Sequence, residues 1–163
     1  MSSSQVKALA HHESVAMVET VRSILKLKGN QVWSLSPDAT VFDAVALMAE
    51  KGVGALAVVS EGRLVGIISE RDYARKVILK GHSSKEMCVH EIMTRSVVTV
   101  TGEHTVAECM RIMTDHRVRH LPVLSGDKIE GVVSIGDIVR NIISAQAETI
   151  RHLSSYITGD YPA

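Results

Sequence analysis

The chain has 163 residues, 45% of them hydrophobic and only 3% aromatic, with 18 basic and 18 acidic side chains and a formal net charge of zero. That balance excludes a broad basic surface with interleaved aromatics, so no nucleic-acid partner is expected. It also excludes a membrane span, because no apolar run approaches the roughly 20 residues needed to cross a bilayer.

With Trp33 and Phe42 the only aromatics besides three tyrosines, the core has to be built from Val, Ile, Leu, Met and Ala, as in layered α/β folds. The N-terminal stretch MSSSQVKALAHHES lacks an apolar signal core. Cys88 and Cys109 have no metal or redox spacing and read as reduced thiols. A cytoplasmic location is expected.

In chain order, Thr20–Lys28 comes first as a helix, with Val21, Ile24, Leu25 and Lys28 on one face. A short strand follows around Val32–Leu35. Thr40-Val-Phe-Asp43 has the hydroxyl and carboxylate spacing of a capping box. Behind it Val41, Ala44, Val45 and Met48 form an apolar helical stripe. Strands are predicted over Ala55–Val59 and Leu64–Ser69, joined by a turn at Glu61-Gly62, and a second helix opens near Asp72.

A shift of 65 positions repeats this series without a gap: Val41 falls on Val106, Met48 on Met113, Leu56 on Leu121, Val58 on Val123, Gly66 on Gly131, Ser69 on Ser134 and Asp72 on Asp137. The second copy thus has a lead-in strand around Val97–Val100 and a capping box at Thr105-Val-Ala-Glu108. Its stripe is Val106, Cys109, Met110 and Met113, its strands are Leu121–Leu124 and Ile129–Ser134 around Gly126-Asp127, and a helix opens near Asp137. Asn141–Ile157 continues that helix, and Thr158–Ala163 reads as a frayed end. The unit is β-α-β-β-α, twice, within a mixed α+β chain. One copy leaves its sheet half covered, so two packed sheet to sheet are expected to share a core.

Gly66-Ile-Ile-Ser-Glu-Arg-Asp72 and Gly131-Val-Val-Ser-Ile-Gly-Asp137 resemble the G-h-h-[ST]-x-x-D element (h is apolar) of cystathionine β-synthase (CBS) domains. Ile92-Met-Thr94 and Arg119-His-Leu-Pro-Val123 are similar to that family's landmarks, and the likeness spans Leu27 to Ile143. It implies two CBS repeats related by pseudo-twofold symmetry, a Bateman module, with flanking N- and C-terminal helices. The expected divisions are an N-terminal helical extension at 1–30, repeat 1 at 31–80, a linker at 81–95, repeat 2 at 96–145 and a C-terminal helix and tail at 146–163. Such modules commonly dimerise, and a homodimer through the Val41–Lys51 and Val106–Asp115 helices is expected.

Read from spacing alone, Ser69-x-x-Asp72 and Ser134-x-x-Asp137 are helix caps. They also suit a nucleotide. A strand end leading into a helix N-terminus offers free amides to phosphate, and a carboxylate accepts from two vicinal ribose hydroxyls. Gly66 and Gly131 are expected to leave room for a close approach. The resemblance implies ribose on the Asp and phosphate near the Ser. It further implies that Arg119 and His120, ahead of Leu121 and Pro122, reach the other repeat's site. The expected binding set is Ser69, Arg71, Asp72, Thr94, Arg119, His120, Leu121, Pro122, Ser134, Gly136 and Asp137. The Asp72 loop is expected to be the tighter phosphate site, because Arg71 lies in it and the resemblance directs Arg119 and His120 to it, whereas their counterparts Gly54 and Ala55 offer the Asp137 site nothing charged.

Other motifs fail. Gly52-Val-Gly54-Ala-Leu-Ala57 fits a dinucleotide fingerprint, but helix precedes it and strand follows, the reverse of what that fingerprint needs. His116 and His120 are four apart across a predicted helix end, and His11-His12 has no third ligand in view. No G-x-S-x-G, Walker-type loop or H-E-x-x-H occurs. The expected function is a non-catalytic regulatory module that binds an adenine nucleotide (AMP, ADP, ATP or an NAD-type ligand) in the cleft between the two repeats and either acts on an unidentified regulated protein or buffers its ligand. The alternative is a structural dimerisation module without a nucleotide.

Overall fold

In the computed structural model, which describes residues 19–158, helix starts follow the spacing read in the sequence. Helix α1 is Val21–Lys28. Strand β1 (Ser34–Leu35) precedes α2 (Val41–Lys51), where Thr40 Oγ1 accepts from the Asp43 amide at 3.1 Å. Strands β2 (Ala55–Ser60) and β3 (Arg63–Ser69) lead into a four-residue helix α3 (Glu70–Tyr73), which continues as a π-helical turn over Ala74–Ile78. A second four-residue helix, α4, is Val89–Ile92.

The second copy has α5 (Val106–His116), β4 (His120–Ser125), β5 (Lys128–Ser134) and the 24-residue α6 (Ile135–Thr158). At α5 the box is reciprocal. Thr105 Oγ1 accepts from the Glu108 amide at 3.2 Å, and Glu108 Oε2 accepts from the Thr105 amide at 2.8 Å. That backbone bond, more than any nearby charge, holds the Glu108 carboxyl below its ordinary value.

Strand order in the first sheet is β1-β2-β3, with β1 parallel and β3 antiparallel to β2; β4 and β5 pair in a second sheet. Both hairpin loops have two residues. Glu61 and Gly62 are both left-handed (φ 50 and 75), the signs of a type I′ turn, whereas at the second only Gly126 is (φ 58), as in type II′. The expected strand at Val97–Val100 shrinks to a single parallel bridge, Val100 to Val123. It is the counterpart of the Leu35–Val58 pairing 65 residues earlier.

The chain forms two compact units. One comprises Gly29–Thr101 and Pro122–Val132. Its core is Val41, Ala44 and Met48 of α2 against Leu56, Val58 and Ile68 of the sheet, closed by Val77, Val89, Ile92 and Met93. The other comprises Gly102–Leu121 with the described parts of Met1–Lys28 and Val133–Ala163. It buries Val21, Ile24 and Leu25 of α1, Val106, Cys109 and Met113 of α5, and Leu121, Val133 and Ile138. The apolar stripes read in both α2 and α5 are therefore core.

Gly66 does permit a close approach, but by the chain itself. A Cβ there would lie 2.5 Å from Met93 Sδ and 3.1 Å from the Thr94 carbonyl oxygen. Thr94 in turn exchanges two backbone bonds with Ile67, at 2.9 and 3.0 Å. Gly66→Ala is expected to destabilise the protein by about 1–3 kcal/mol through overpacking, as read by urea denaturation. A loss within a few tenths of a kcal/mol would mean that this edge yields freely.

Candidate functional site

The first loop begins where β3 ends. Ser69 is extended (φ −125, ψ 163) and caps α3: its Oγ accepts from the Asp72 amide at 3.2 Å and donates to Asp72 Oδ2 at 2.9 Å. The Ser69 amide donates to the same Oδ2 at 3.0 Å. Asp72 Oδ1 pairs with the Lys76 ammonium at 2.8 Å, and Lys76 also donates to the Ile92 carbonyl at 2.7 Å. The Asp72 side chain is 13% exposed. The first helical amide, that of Glu70, donates to the Gly54 carbonyl at 3.0 Å.

The second loop copies this cap 65 residues on. The Ser134 amide donates to Asp137 Oδ2 at 2.8 Å, and Ser134 Oγ accepts from the Asp137 amide at 3.2 Å. The Ile135 amide donates to the Arg119 carbonyl at 2.8 Å. The cations differ. Lys28, the last residue of α1, meets Oδ2 at 2.6 Å, and Arg140, one turn along α6, meets Oδ1 at 2.6 Å. The Asp137 side chain is 5% exposed. Burial raises its pKa, but the bonds from Lys28, the Ser134 amide and Arg140 outweigh that and hold the carboxyl below its ordinary value of 3.8.

The expected set is thus divided. Ser69 and Asp72 share one loop, with Arg71 exposed on α3 and Thr94 exposed beside Ile67, two residues before Ser69. Ser134, Gly136 and Asp137 share the other, with the backbone of Arg119 beside it and the Arg119 side chain exposed. His120 is half-buried at the start of β4, while Leu121 and Pro122 are buried. The Pro122 carbonyl accepts from the Val100 amide at 3.0 Å.

The cations Lys28 and Arg140, which both sit on the Asp137 carboxylate, are absent from the expected set. Lys76 and Arg140 were legible as cations four and three residues beyond the Asp on the same helix. Lys28 was not, being 109 positions away.

Little else offers chemistry. Burial, with the Glu108 charge added, pushes the Cys109 thiol up to about 11, far from a reactive thiolate. Among the described residues no group of three or more His, Cys, Asp or Glu could hold a metal ion. His11 and His12 lie outside the described residues. No described helix is long and apolar enough to cross a membrane.

The duplicated strand, Ser-x-x-Asp cap and helix agree with what the CBS domain family model matches, once over residues 21–79 and again over 89–144. The chain belongs to the CBS domain family. A CBS domain-containing protein of Arabidopsis thaliana named as mitochondrial is 43% identical over 152 residues, which cover 87% of this chain and 73% of that one. A solved CBS-domain protein from Burkholderia ambifaria is 49% identical with a TM-score of 0.74, over 77% of this chain and 94% of its own. A CBS domain pair solved in complex with 5′-methylthioadenosine and S-adenosyl-L-methionine is 25% identical with a TM-score of 0.67, over 76% of this chain and 94% of its own.

The Asp137 contacts make a pH prediction. A carboxyl whose folded value is depressed contributes stability above its unfolded value, near pH 3.9, and that contribution is lost as pH falls through the folded value. Asp137→Asn is therefore expected to cost about 1.5–3 kcal/mol near neutral pH, the range for charge-assisted bonds. The gap to the parent protein should narrow below about pH 4. A gap that widens toward acid in denaturant titrations would reverse the sign assigned here.

Proposed function

We propose that this CBS pair is a regulatory module whose ligand is an adenosine-containing small molecule held at the Ser69–Asp72 and Ser134–Asp137 loops. The observation that carries this reading is the duplicated placement of a carboxylate, buried at Asp137 and partly buried at Asp72, beside helix-initiating amides at a strand end. A ribose diol would donate to the carboxylate, and phosphate would accept from the first-turn amides. The CBS pair solved with 5′-methylthioadenosine and S-adenosyl-L-methionine supports the adenosine class. AMP, ADP, ATP and NAD-type ligands are the candidates within it.

The ligand regulates by binding one arrangement of its loop better than another. The readout passes to a separate protein, and the module itself carries out no turnover. It works in an aqueous compartment. Cytoplasm is the sequence-based expectation, and the mitochondrion is the setting that the name of the Arabidopsis relative raises.

A second reading, a self-associating module without a ligand, is favoured by exposed Phe42 on α2 and exposed Ile78, Leu79 and Ile143. We propose self-association as a homodimer in either case, involving α2 and α5.

Thermal unfolding with AMP, ADP, ATP, NAD and 5′-methylthioadenosine separates the readings, because a ligand at 100 times its dissociation constant adds about 2.7 kcal/mol. At least one of the five is expected to raise the midpoint, and Asp72→Ala together with Asp137→Ala to abolish the rise. No shift with any of them would leave the ligand-free reading. Sedimentation should show a species of twice the 17.7 kDa chain. A monomer alone, with and without nucleotide, would exclude the dimer.

A further inference from the structure

Asp137 is the carboxylate on which the proposed ribose would be held at the second loop, yet its oxygens already take the Ser134 amide and two cations. The cations differ in how they are tethered. Arg140 is on the same helix and its side chain is 73% exposed, so it can leave the carboxylate by rotating into water. Lys28 belongs to another element, and its side chain is 35% exposed. The helix that carries it is fixed: the Val21 and Arg22 amides donate to the His104 and Gly102 carbonyls at 2.9 and 3.0 Å, and Val21, Ile24 and Leu25 are buried. Wherever the ligand sits on Asp137, the Lys28 ammonium stays within a side chain's length of it.

We propose that Lys28 makes the Ser134–Asp137 loop selective for adenosine ligands that carry an anionic group, phosphate above all, over neutral ones. The inference rests on the reading of this loop as a ribose site. A neutral nucleoside supplies hydroxyl donors that replace the ammonium on Asp137, but gives the ammonium no acceptor in return. An ion pair is then exchanged for a hydroxyl–carboxylate bond beside a displaced cation. A nucleoside phosphate supplies both halves of the exchange: its hydroxyls take the carboxylate and its phosphate oxygens take the ammonium.

The first loop lacks this arrangement. Its cation, Lys76, lies on the turn that continues α3, four residues from Asp72, and is also held by the Ile92 carbonyl. The proposal concerns the second loop alone.

The test is calorimetric titration of the full chain, with the first loop silenced by Asp72→Asn, against AMP and adenosine. With Lys28 present, AMP binds more tightly than adenosine. Lys28→Met lowers the AMP-to-adenosine affinity ratio by roughly 10-fold or more, the scale of one charge-assisted bond, and Lys28→Arg keeps the preference. Should Lys28→Met fail to fold for want of its ion pair, Lys28→Gln, which leaves Asp137 a donor and removes only the charge, carries the same expectation. An unchanged ratio in Lys28→Met or Lys28→Gln overturns the selectivity and leaves the ligand reading intact. Failure of both AMP and adenosine to bind with Lys28 in place overturns the ligand reading at this loop, and the selectivity with it.

Discussion

In each repeat a strand turns into a helix with no residue between them, and a reciprocal Ser–Asp cap makes that junction possible. Ser69 is the last residue of β3 and Glu70 the first of α3, and Ser134 and Ile135 repeat the junction. So abrupt a change leaves the first-turn amides without intrahelical acceptors. The serine oxygen takes one, the aspartate returns a bond to the serine amide, and the first helical amide reaches across to Gly54 or Arg119, just ahead of the neighbouring strand. The strand end, the helix start and the edge of the adjacent strand are thereby locked into one corner. A ligand of the proposed kind would meet a carboxylate already bonded by the fold, so displacing those partners would bear on its strength and selectivity.

The cap alone does not complete a repeat. The helix after each lead-in strand is also pinned at its start by a segment from elsewhere in the chain. For α2 that segment is 87–89: the Val41 amide donates to the Met87 carbonyl and the Val89 amide to the Ala39 carbonyl, at 2.9 and 2.8 Å. For α5 it is 19–21: the Val106 amide donates to the Glu19 carbonyl and the Val21 amide to the His104 carbonyl, at 2.8 and 2.9 Å. The two brackets are the same motif, the isolated bridges Thr40–Cys88 and Thr20–Thr105. In the first repeat the bracket follows the helix it pins. In the second it precedes that helix by some 85 residues, and it carries α1. Helix α1, which reads in sequence as part of an N-terminal extension, belongs to the same compact unit as α5 and α6, and this is how Lys28 arrives at Asp137.

The order of elements was legible because period and cap agree locally. The 65-residue repeat, the stripes of α2 and α5 and the Ser-x-x-Asp junctions are properties of short windows, and short windows are what a sequence displays. The lead-in to β4 was overread. Val97–Val100 has the apolar content of a strand, but only Val100 pairs, which is a matter of tertiary register and not of propensity. Gly66 was read correctly as a point of close approach and wrongly as to what approaches, since Met93 and Thr94 lie far along the chain. Of the cations at the second loop, one was out of reach for the same reason. Arg140 was within view on the helix, but Lys28 depends on a packing of α1 that no local pattern encodes.

The two copies have kept the cap and changed everything that leads away from it. From Asp72 the path runs through Lys76 to the Ile92 carbonyl, and α3 passes at once into a π-helical turn. From Asp137 it runs through Lys28 into α1 and through Arg140 along a 24-residue helix. A ligand shifts an equilibrium only by the difference in its contacts between two states. At the first loop, the contacts it disturbs belong to one helical turn and the short α4, so the response stays local. At the second, the displaced partner sits on a separate helix whose other end brackets α5, so the same chemical exchange bears on three helices at once. On the proposed ligand reading, the second loop is therefore the one tied to more of the fold.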